Sequence, residues 1–330
     1  MDDRKNDKFC YFPFMQMLLQ PNGLVSPCCW NQELVYGNIE DQTLAEIWNG
    51  TSIQKLRKEF LDGDPQHCSY QMKDIGCHRL SYREIVKNLQ FTEIQTSGPI
   101  RLDIRLNGQC NLQCIMCDVW KQPNGLYNES DFWELGQNSL FPNLLELDVL
   151  GGEPFIQADT YRLIDNVSAV NSKCTWAFAT NGNYRFSDEI RSKLDKIQIR
   201  WLMVSIDSLN SKAYSEIRLK GKIERTVSTL EQFRKYKLQR ISEKRSFRLV
   251  ASMCVQKQNW KEIPNFIEYC QIRDIEPVFQ FLYSPAKLSL IGLPIHELKE
   301  VYTFICATIE TYKTELLKPI YSPIKEVLYK

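Results

Sequence analysis

No run of apolar residues in this 330-residue sequence is long enough to cross a bilayer as a helix. The first residues, Met1-Asp2-Asp3-Arg4-Lys5, are polar and lack the apolar core of a secretory signal. Charge of one sign is missing too. Lys and Arg number 41 against 40 Asp and Glu, a net charge of +1, so no overall field draws the chain to nucleic acid or to a membrane surface. Basic stretches such as Arg234-Lys235-Tyr236-Lys237 read as a solvated helix face. No internal repeat or low-complexity tract stands out. These absences predict a cytoplasmic protein with no membrane and no nucleic-acid partner. In a reducing cytosol disulfides do not persist, so the twelve cysteines become informative, and clustered ones are read as ligands or catalysts.

What is present is ordinary in bulk: 43% hydrophobic and 25% charged residues, with a length that suits a barrel-sized domain plus a smaller one. Residues 1–97 hold five cysteines and little strand–helix alternation. There Asn22-Gly23 between apolar runs predicts a β-hairpin. Short helices are expected at 43–48, from Thr51 to just before Gly63, and at 81–91. From 98 onward strand and helix alternate. Strands are expected at 100–106, 144–150, 174–180, 199–206, 247–255 and 277–283. Helices are expected at 129–138, 158–170, 187–195, 222–239, 260–273 and 295–316. Six such units predict an α/β fold with a parallel sheet, closed into a partial barrel or doubly wound. The expected division is a cysteine-rich domain at 1–97, a barrel at 98–290 and a C-terminal helical segment at 291–330.

Directly after the first barrel strand comes Cys110-Asn111-Leu112-Gln113-Cys114-Ile115-Met116-Cys117. Three thiolates on one loop can bind three irons of a [4Fe–4S] cube and leave the fourth iron open to an outside ligand. Zinc normally takes four protein ligands, and no fourth Cys or His lies near in sequence.

This CxxxCxxC spacing resembles the signature of the radical S-adenosylmethionine (radical SAM) superfamily, whose fold is a partial (β/α)6 barrel of TIM type. Further segments, in order and at successive strand ends, are similar to that family's. Gly151-Gly152-Glu153-Pro154 resembles the turn that binds the cofactor's methionine amine. Thr180-Asn181-Gly182 follows the third strand. Ser205-Ile206-Asp207 with Arg218 resembles the segment near the ribose and carboxylate. Ile275-Glu276-Pro277-Val278 resembles the segment that contacts adenine. The resemblance covers about 98–290 and implies cofactor contacts from Met116, Gly151, Gly152, Glu153, Pro154, Thr180, Asn181, Ser205, Asp207, Arg218 and Val278. Cys254, Asp207 and Tyr283, near strand ends, are candidates for a hydrogen-atom donor or base. Cys174, Cys270 and Cys306 are expected to be small buried hydrophobes.

The N-terminal order of Cys10, a hairpin, Cys28-Cys29, Gly37-Asn38, Trp48-Asn49 and His67-Cys68 resembles the SPASM or twitch auxiliary-cluster domains of many radical enzymes that act on peptides. Usually that domain follows the barrel; here it precedes it. Gln71 stands where a second cysteine is common. The resemblance implies one auxiliary [4Fe–4S] cluster, of the twitch type, held by Cys10, Cys28 or Cys29, Cys68 and Cys77, with His67 or His78 as substitutes and zinc as the alternative metal.

Together these features predict an enzyme that reductively cleaves S-adenosylmethionine to a 5′-deoxyadenosyl radical, with an external flavodoxin- or ferredoxin-like electron donor. The implied substrate is a peptide or protein, cross-linked, epimerised or oxidised. A carbohydrate or other small metabolite is the alternative. A non-catalytic iron–sulfur electron carrier or redox sensor would use the cysteines without the Gly-Gly-Glu-Pro, Thr-Asn-Gly and Ser-Ile-Asp segments.

Overall fold

The computed structural model describes residues 9–68, 82, 84–128 and 131–329. Cys77 and His78 lie outside the described residues. The chain forms two compact units. One comprises residues up to Gln109, Gln122–Ala177 and Ser192–Gln198; the other comprises Cys110–Lys121, Phe178–Arg191 and the chain from Ile199 onward.

In the first unit the expected hairpin forms from β1 (Gln16–Leu19) and β2 (Leu24–Ser26), which pair antiparallel with Leu19 opposite Val25. Gly23 turns it at φ 78°, where a Cβ would meet Asn38 Oδ1 at 2.3 Å. Strand β3 (Gly37–Asn38) extends the hairpin. On its other side β1 runs parallel to β4 (Arg101–Ile104), Gln16 opposite Arg101. In chain order the next strand is β5 (Gln113–Cys114), in the second unit, followed by β6 (Glu146–Val149). Strand β4 is parallel to β6, Arg101 opposite Glu146. The hairpin therefore continues the sheet of the first barrel strands.

Strands β4 and β6 differ from the apolar strands expected. Leu102, Ile104, Leu147 and Val149 alternate with Arg101, Asp103, Glu146 and Asp148, and all eight are buried. Successive side chains of a strand point to opposite faces, so one face of this sheet is apolar and the other is charged. On the charged face Arg101 binds Glu146 (Nε–Oε2 3.3 Å), Asp148 and Gln16, joining three strands.

Helix Leu44–Trp48 starts at Thr43, whose hydroxyl and backbone exchange hydrogen bonds with Glu46 in a capping box. Helix Thr51–Leu61 buries Ile53, Leu56, Arg57 and Phe60, one face of a 3.6-residue period. An aromatic cluster of Phe9, Tyr11, Phe14, Phe60 and Phe91 packs beside it. The helix expected at 81–91 is replaced, among its described residues, by turns with Val86 N bonded to Tyr82 O and Leu89 N to Val86 O. Of the helix expected at 129–138, residues 129–130 lie outside the described set. The α-helix spans Phe132–Leu135 and widens into a π turn through Leu140, because Gly136 leaves room only for the Phe141 ring (2.4 Å from a built Cβ).

The chain order of the barrel strands is completed by β7 (Thr175–Thr180), β8 (Gln198–Ser205), β10 (Arg248–Val255) and β11 (Glu276–Phe281), with the two-residue β9 (Arg218–Leu219) between β8 and β10. Helices Ala158–Val170, Asp188–Asp195, Ile223–Ser242, Ile263–Ile272 and Ile295–Tyr312 alternate with them, close to the expected bounds. In the second unit β8, β10 and β11 are parallel neighbours, Ser205 opposite Ser252 and Ser252 opposite Val278. Sequence periodicity missed helix Ser211–Ile217, capped by Asn210. It also missed helix Lys318–Leu328, whose internal Pro323 disguises it and which buries Ile320 and Ile324. No helix among the described residues is long and apolar enough to cross a membrane.

Candidate functional site

The Cys110–Cys117 loop belongs to the second unit and is held by short-range backbone pairing. Its residues Gln113 and Cys114 form β5, antiparallel to β9, with Cys114 opposite Arg218. Cys117 N bonds to Cys114 O (3.1 Å), and Trp120 Nε1 donates to Cys117 O (2.9 Å). Cys110 and Cys114 are partly exposed and Cys117 exposed. Burial pushes the Cys114 thiol up to about 11, against the Arg218 cation, which favours the thiolate.

Polar groups converge on these sulfurs. Cys110 Sγ accepts from Leu112 N (3.4 Å) and from Asn181 Nδ2 (3.6 Å). Cys114 Sγ accepts from Arg218 Nη1 (3.9 Å). Asn181 also donates to Asn111 Oδ1 (2.9 Å) and accepts from Asn183 N (2.7 Å), while Asn111 donates to Asn183 O (2.8 Å). The Thr-Asn-Gly turn is thus tied to the cysteine loop. Thr180 spends its hydroxyl on Gly182 N and Tyr184. Asn111 and Asn183, which complete this amide network, carry no sequence signal beyond their place beside the motifs.

Arg218 is aimed by Asp207. Its Nε and Nη2 each lie 2.8 Å from Asp207 Oδ2, both residues being buried. Asp207 sits at φ 59° and its Oδ1 accepts from Cys254 N (2.7 Å). Asn259, another residue the sequence did not single out, donates to Asp207 O (2.7 Å) and Cys254 O (2.9 Å). The Cys254 thiol is pushed up chiefly by burial, then by Asp207, and also feels Cys114 and Cys117, so it stands near the loop. Ser205 meets the Ser252 hydroxyl (3.4 Å). Met116, Val278 and Tyr283 are half-buried, with the Tyr283 ring tilted against Phe281 at 4.8 Å.

In the first unit, the Gly-Gly-Glu-Pro turn closes on the segment 107–109. A Cβ on Gly152 would lie 2.2 Å from Gln109 O, so this position takes glycine alone. Glu153 N bonds to Gln109 O (2.8 Å), and Gln157 Nε2 bonds to Gln109 O (2.9 Å) and Gly151 O (3.2 Å). The Glu153 side chain is fully buried, and Oε1 accepts from Phe155 N (3.1 Å). Pro154 opens the 3-10 turn that follows.

Among the N-terminal cysteines the adjacent pair diverges. Cys28 interacts electrostatically with Cys68, and both, with Cys10, act on the Tyr36 phenol, whose burial raises it most. Cys29 interacts instead with Asp103, Arg105 and Arg101. Asn31 Nδ2 donates to His67 O (2.8 Å) and so ties the Cys28 turn to the segment holding Cys68. The His67 ring is engaged by Glu59 and by Lys55 Nζ (3.3 Å). Among the described residues no three His, Cys, Asp or Glu side chains are close enough to grip a single metal ion. A cube takes each thiolate on a different iron and so wants a wider set. Three thiols on one loop, with N–H donors aimed at two of them, suit that chemistry, since hydrogen bonds to sulfur tune such clusters.

Comparison with known proteins bears on the same two regions. The family model for the radical SAM superfamily matches residues 104–270, and that for the SPASM iron–sulfur cluster-binding domain matches residues 10–71. Among curated proteins the chain is similar to a probable GTP 3′,8-cyclase of Methanocaldococcus jannaschii, 25% identical over 195 residues, 58% of this chain and 61% of that protein. It is similar to a GTP 3′,8-cyclase of Lactiplantibacillus plantarum, 20% identical over 185 residues, 54% of this chain and 52% of the other. The chain thus spans only about half to three-fifths of these relatives' length. Among solved structures it is similar to Streptococcus suis SuiB bound to precursor peptide SuiA, at 15% identity and a TM-score of 0.49 over 92% of this chain and 70% of that one. The cofactors of the two matched families are a [4Fe–4S] cluster with S-adenosylmethionine and an auxiliary iron–sulfur cluster. With more than half of the chain matched by one model and the N-terminal cysteines by the other, the protein belongs to the radical SAM superfamily and is a radical SAM enzyme with an N-terminal SPASM-like iron–sulfur domain.

Proposed function

We propose that this enzyme modifies a peptide or protein, and that Cys110, Cys114 and Cys117 hold the cluster that serves S-adenosylmethionine. When bound, the cluster and its cofactor supply a one-electron cleavage that yields methionine and a 5′-deoxyadenosyl radical, which takes a hydrogen atom from the substrate. The observation that carries the ligand assignment is the pair of donors on the loop sulfurs, Asn181 on Cys110 and Arg218 on Cys114. Both stabilise negative charge there. Asp207 is a positioning residue, because each carboxylate oxygen is already engaged, one by Arg218 and one by Cys254 N.

Glu153 offers a buried carboxylate to the cofactor's ammonium, with Gly151, Gly152 and Pro154 shaping the turn. Thr180, Ser205, Met116 and Val278 complete the proposed cofactor contacts. Cys254, beside Cys114 and Cys117, is the proposed hydrogen-atom donor to a product radical, with Tyr283 next in line. The electron comes from a flavodoxin- or ferredoxin-like protein. The chain works in the cytoplasm, where its described cysteines, none of them in a disulfide, stay reduced.

The peptide substrate rests on the SPASM match, since such domains accompany many peptide-modifying radical enzymes. A second reading, a small metabolite, is favoured by the GTP 3′,8-cyclases among the relatives. The two separate in one assay. Formation of 5′-deoxyadenosine by the reduced enzyme should rise on adding short substrate peptides drawn from a peptide library and stay unchanged on adding GTP. Stimulation by GTP and not by the peptides would replace the first reading with the second.

Glu153→Gln keeps the acceptor for Phe155 N and removes only the charge. Loss of one charged hydrogen bond should weaken S-adenosylmethionine binding roughly ten- to a hundredfold, measured anaerobically by equilibrium dialysis. An unchanged dissociation constant would reduce Gly-Gly-Glu-Pro to a turn.

For the auxiliary cluster the proposed ligands are Cys10, Cys28, Cys68 and Cys77, with Cys28 chosen over Cys29 because only Cys28 interacts with Cys68 and the Tyr36 phenol. The reconstituted protein should then carry about eight irons, and the variant with Cys110, Cys114 and Cys117 all changed to Ala about four, since each cube holds four. Adding Cys28→Ala to that variant should remove the remainder, whereas Cys29→Ala should leave it. The reverse pattern would transfer the ligand role to Cys29.

A further inference from the structure

Tyr36 precedes β3 and is nearly completely buried, 4% exposed. Its backbone is pinned by the bond from its N to Val25 O (2.7 Å). Its hydroxyl is buried and has no hydrogen-bond partner among the described residues. A buried hydroxyl without a partner costs free energy, so in a folded protein it normally marks a missing partner. The groups around it identify that partner. Cys28, Cys10 and Cys68 all act on this one phenol, and they come from three separated segments of the chain.

Arg57 also acts on this phenol. The guanidinium is fully buried, donates to Pro13 O (2.8 Å), Asn49 Oδ1 (3.0 Å) and Glu93 O (2.9 Å), and leaves Nη2 without a partner. None of those partners is a carboxylate, and burial pulls Arg57 down to about 10. A buried cation near the phenol makes its O–H a stronger donor to an anion. A cube with four thiolate ligands is such an anion.

We propose that Tyr36 is a positioning residue for the auxiliary cluster, donating its O–H to a sulfur of the cube held by Cys10, Cys28 and Cys68 and so raising the cluster's reduction potential. The inference rests on the ligand set proposed above. The phenol is suited to donate rather than to ligate, because a tyrosine hydroxyl carries its proton at neutral pH. A hydrogen bond to sulfur stabilises the reduced, more negative cube more than the oxidised one, and hydrogen bonds to the sulfurs are among the factors that set such potentials.

The test uses the full chain carrying Cys110→Ala, Cys114→Ala and Cys117→Ala, so that any cluster signal comes from the auxiliary site. Tyr36→Phe is added, which removes one oxygen that has no partner among the described residues. Iron content should stay at about four per chain. In an anaerobic redox titration followed by electron paramagnetic resonance, the midpoint should move to a more negative value. The reduced-to-oxidised ratio at the original midpoint should fall roughly three- to tenfold, as expected for one neutral hydrogen bond, the upper end corresponding to about 59 mV. An unchanged midpoint with iron retained overturns the inference. So does loss of the iron, because a hydrogen-bond donor is not a ligand. Absence of iron from the parent triple variant overturns the ligand set itself, and the two failures are thereby distinct.

Discussion

The carboxylate of Asp207 fixes the geometry on which the cysteine loop depends. One oxygen takes both Arg218 nitrogens and the other takes the Cys254 amide. The end of β8, strand β9 and the end of β10 are thereby joined through a single buried side chain. Because β9 pairs with β5, the same contact sets where Cys114 stands. Removing one partner of a buried ion pair costs about 3–5 kcal/mol, since the other charge is left uncompensated. The arrangement also leaves one guanidinium nitrogen free of the pair, and that nitrogen faces the Cys114 sulfur. Structural and chemical demands therefore meet at Arg218, where a neutral residue would satisfy neither.

The cysteine loop has a cation and a neutral N–H donor on its sulfurs, and the proposed auxiliary site has a buried cation and a phenol. At the loop these are Arg218 and Asn181. At the N-terminal site they are Arg57 and Tyr36. Each cation is buried, and the two are shifted in opposite directions. Asp207 holds the Arg218 guanidinium far above its ordinary value against the pull of burial, while Arg57 has no such partner and is lowered.

The order of strands and helices from 98 onward was legible because the 3.6- and 2-residue periods are strong there, and helix Ala158–Val170 has the expected bounds. The cysteine loop was legible from spacing alone. Less legible was whatever depends on the chain folding back. Nothing in Gln16-Met17-Leu18-Leu19 indicates that the hairpin strand will run parallel to β4. The charged face of β4 and β6 contradicts the rule that buried parallel strands are apolar, because Arg101 binds carboxylates 45 and 47 positions away. The divergence of Cys28 from Cys29 and the orphan hydroxyl of Tyr36 likewise arise from tertiary contacts. Asn111, Asn183 and Asn259 are isolated amides whose importance lies in partners distant in sequence.

The most direct test of this account is product analysis of a single anaerobic reaction. Iron-loaded protein reduced with dithionite and mixed with S-adenosylmethionine should release methionine and 5′-deoxyadenosine in about equal amounts, as the bond cleaved yields one of each. The chain with Cys110, Cys114 and Cys117 replaced by Ala should release neither. Failure of the iron-loaded wild type to form 5′-deoxyadenosine, or undiminished formation by the variant, would contradict it.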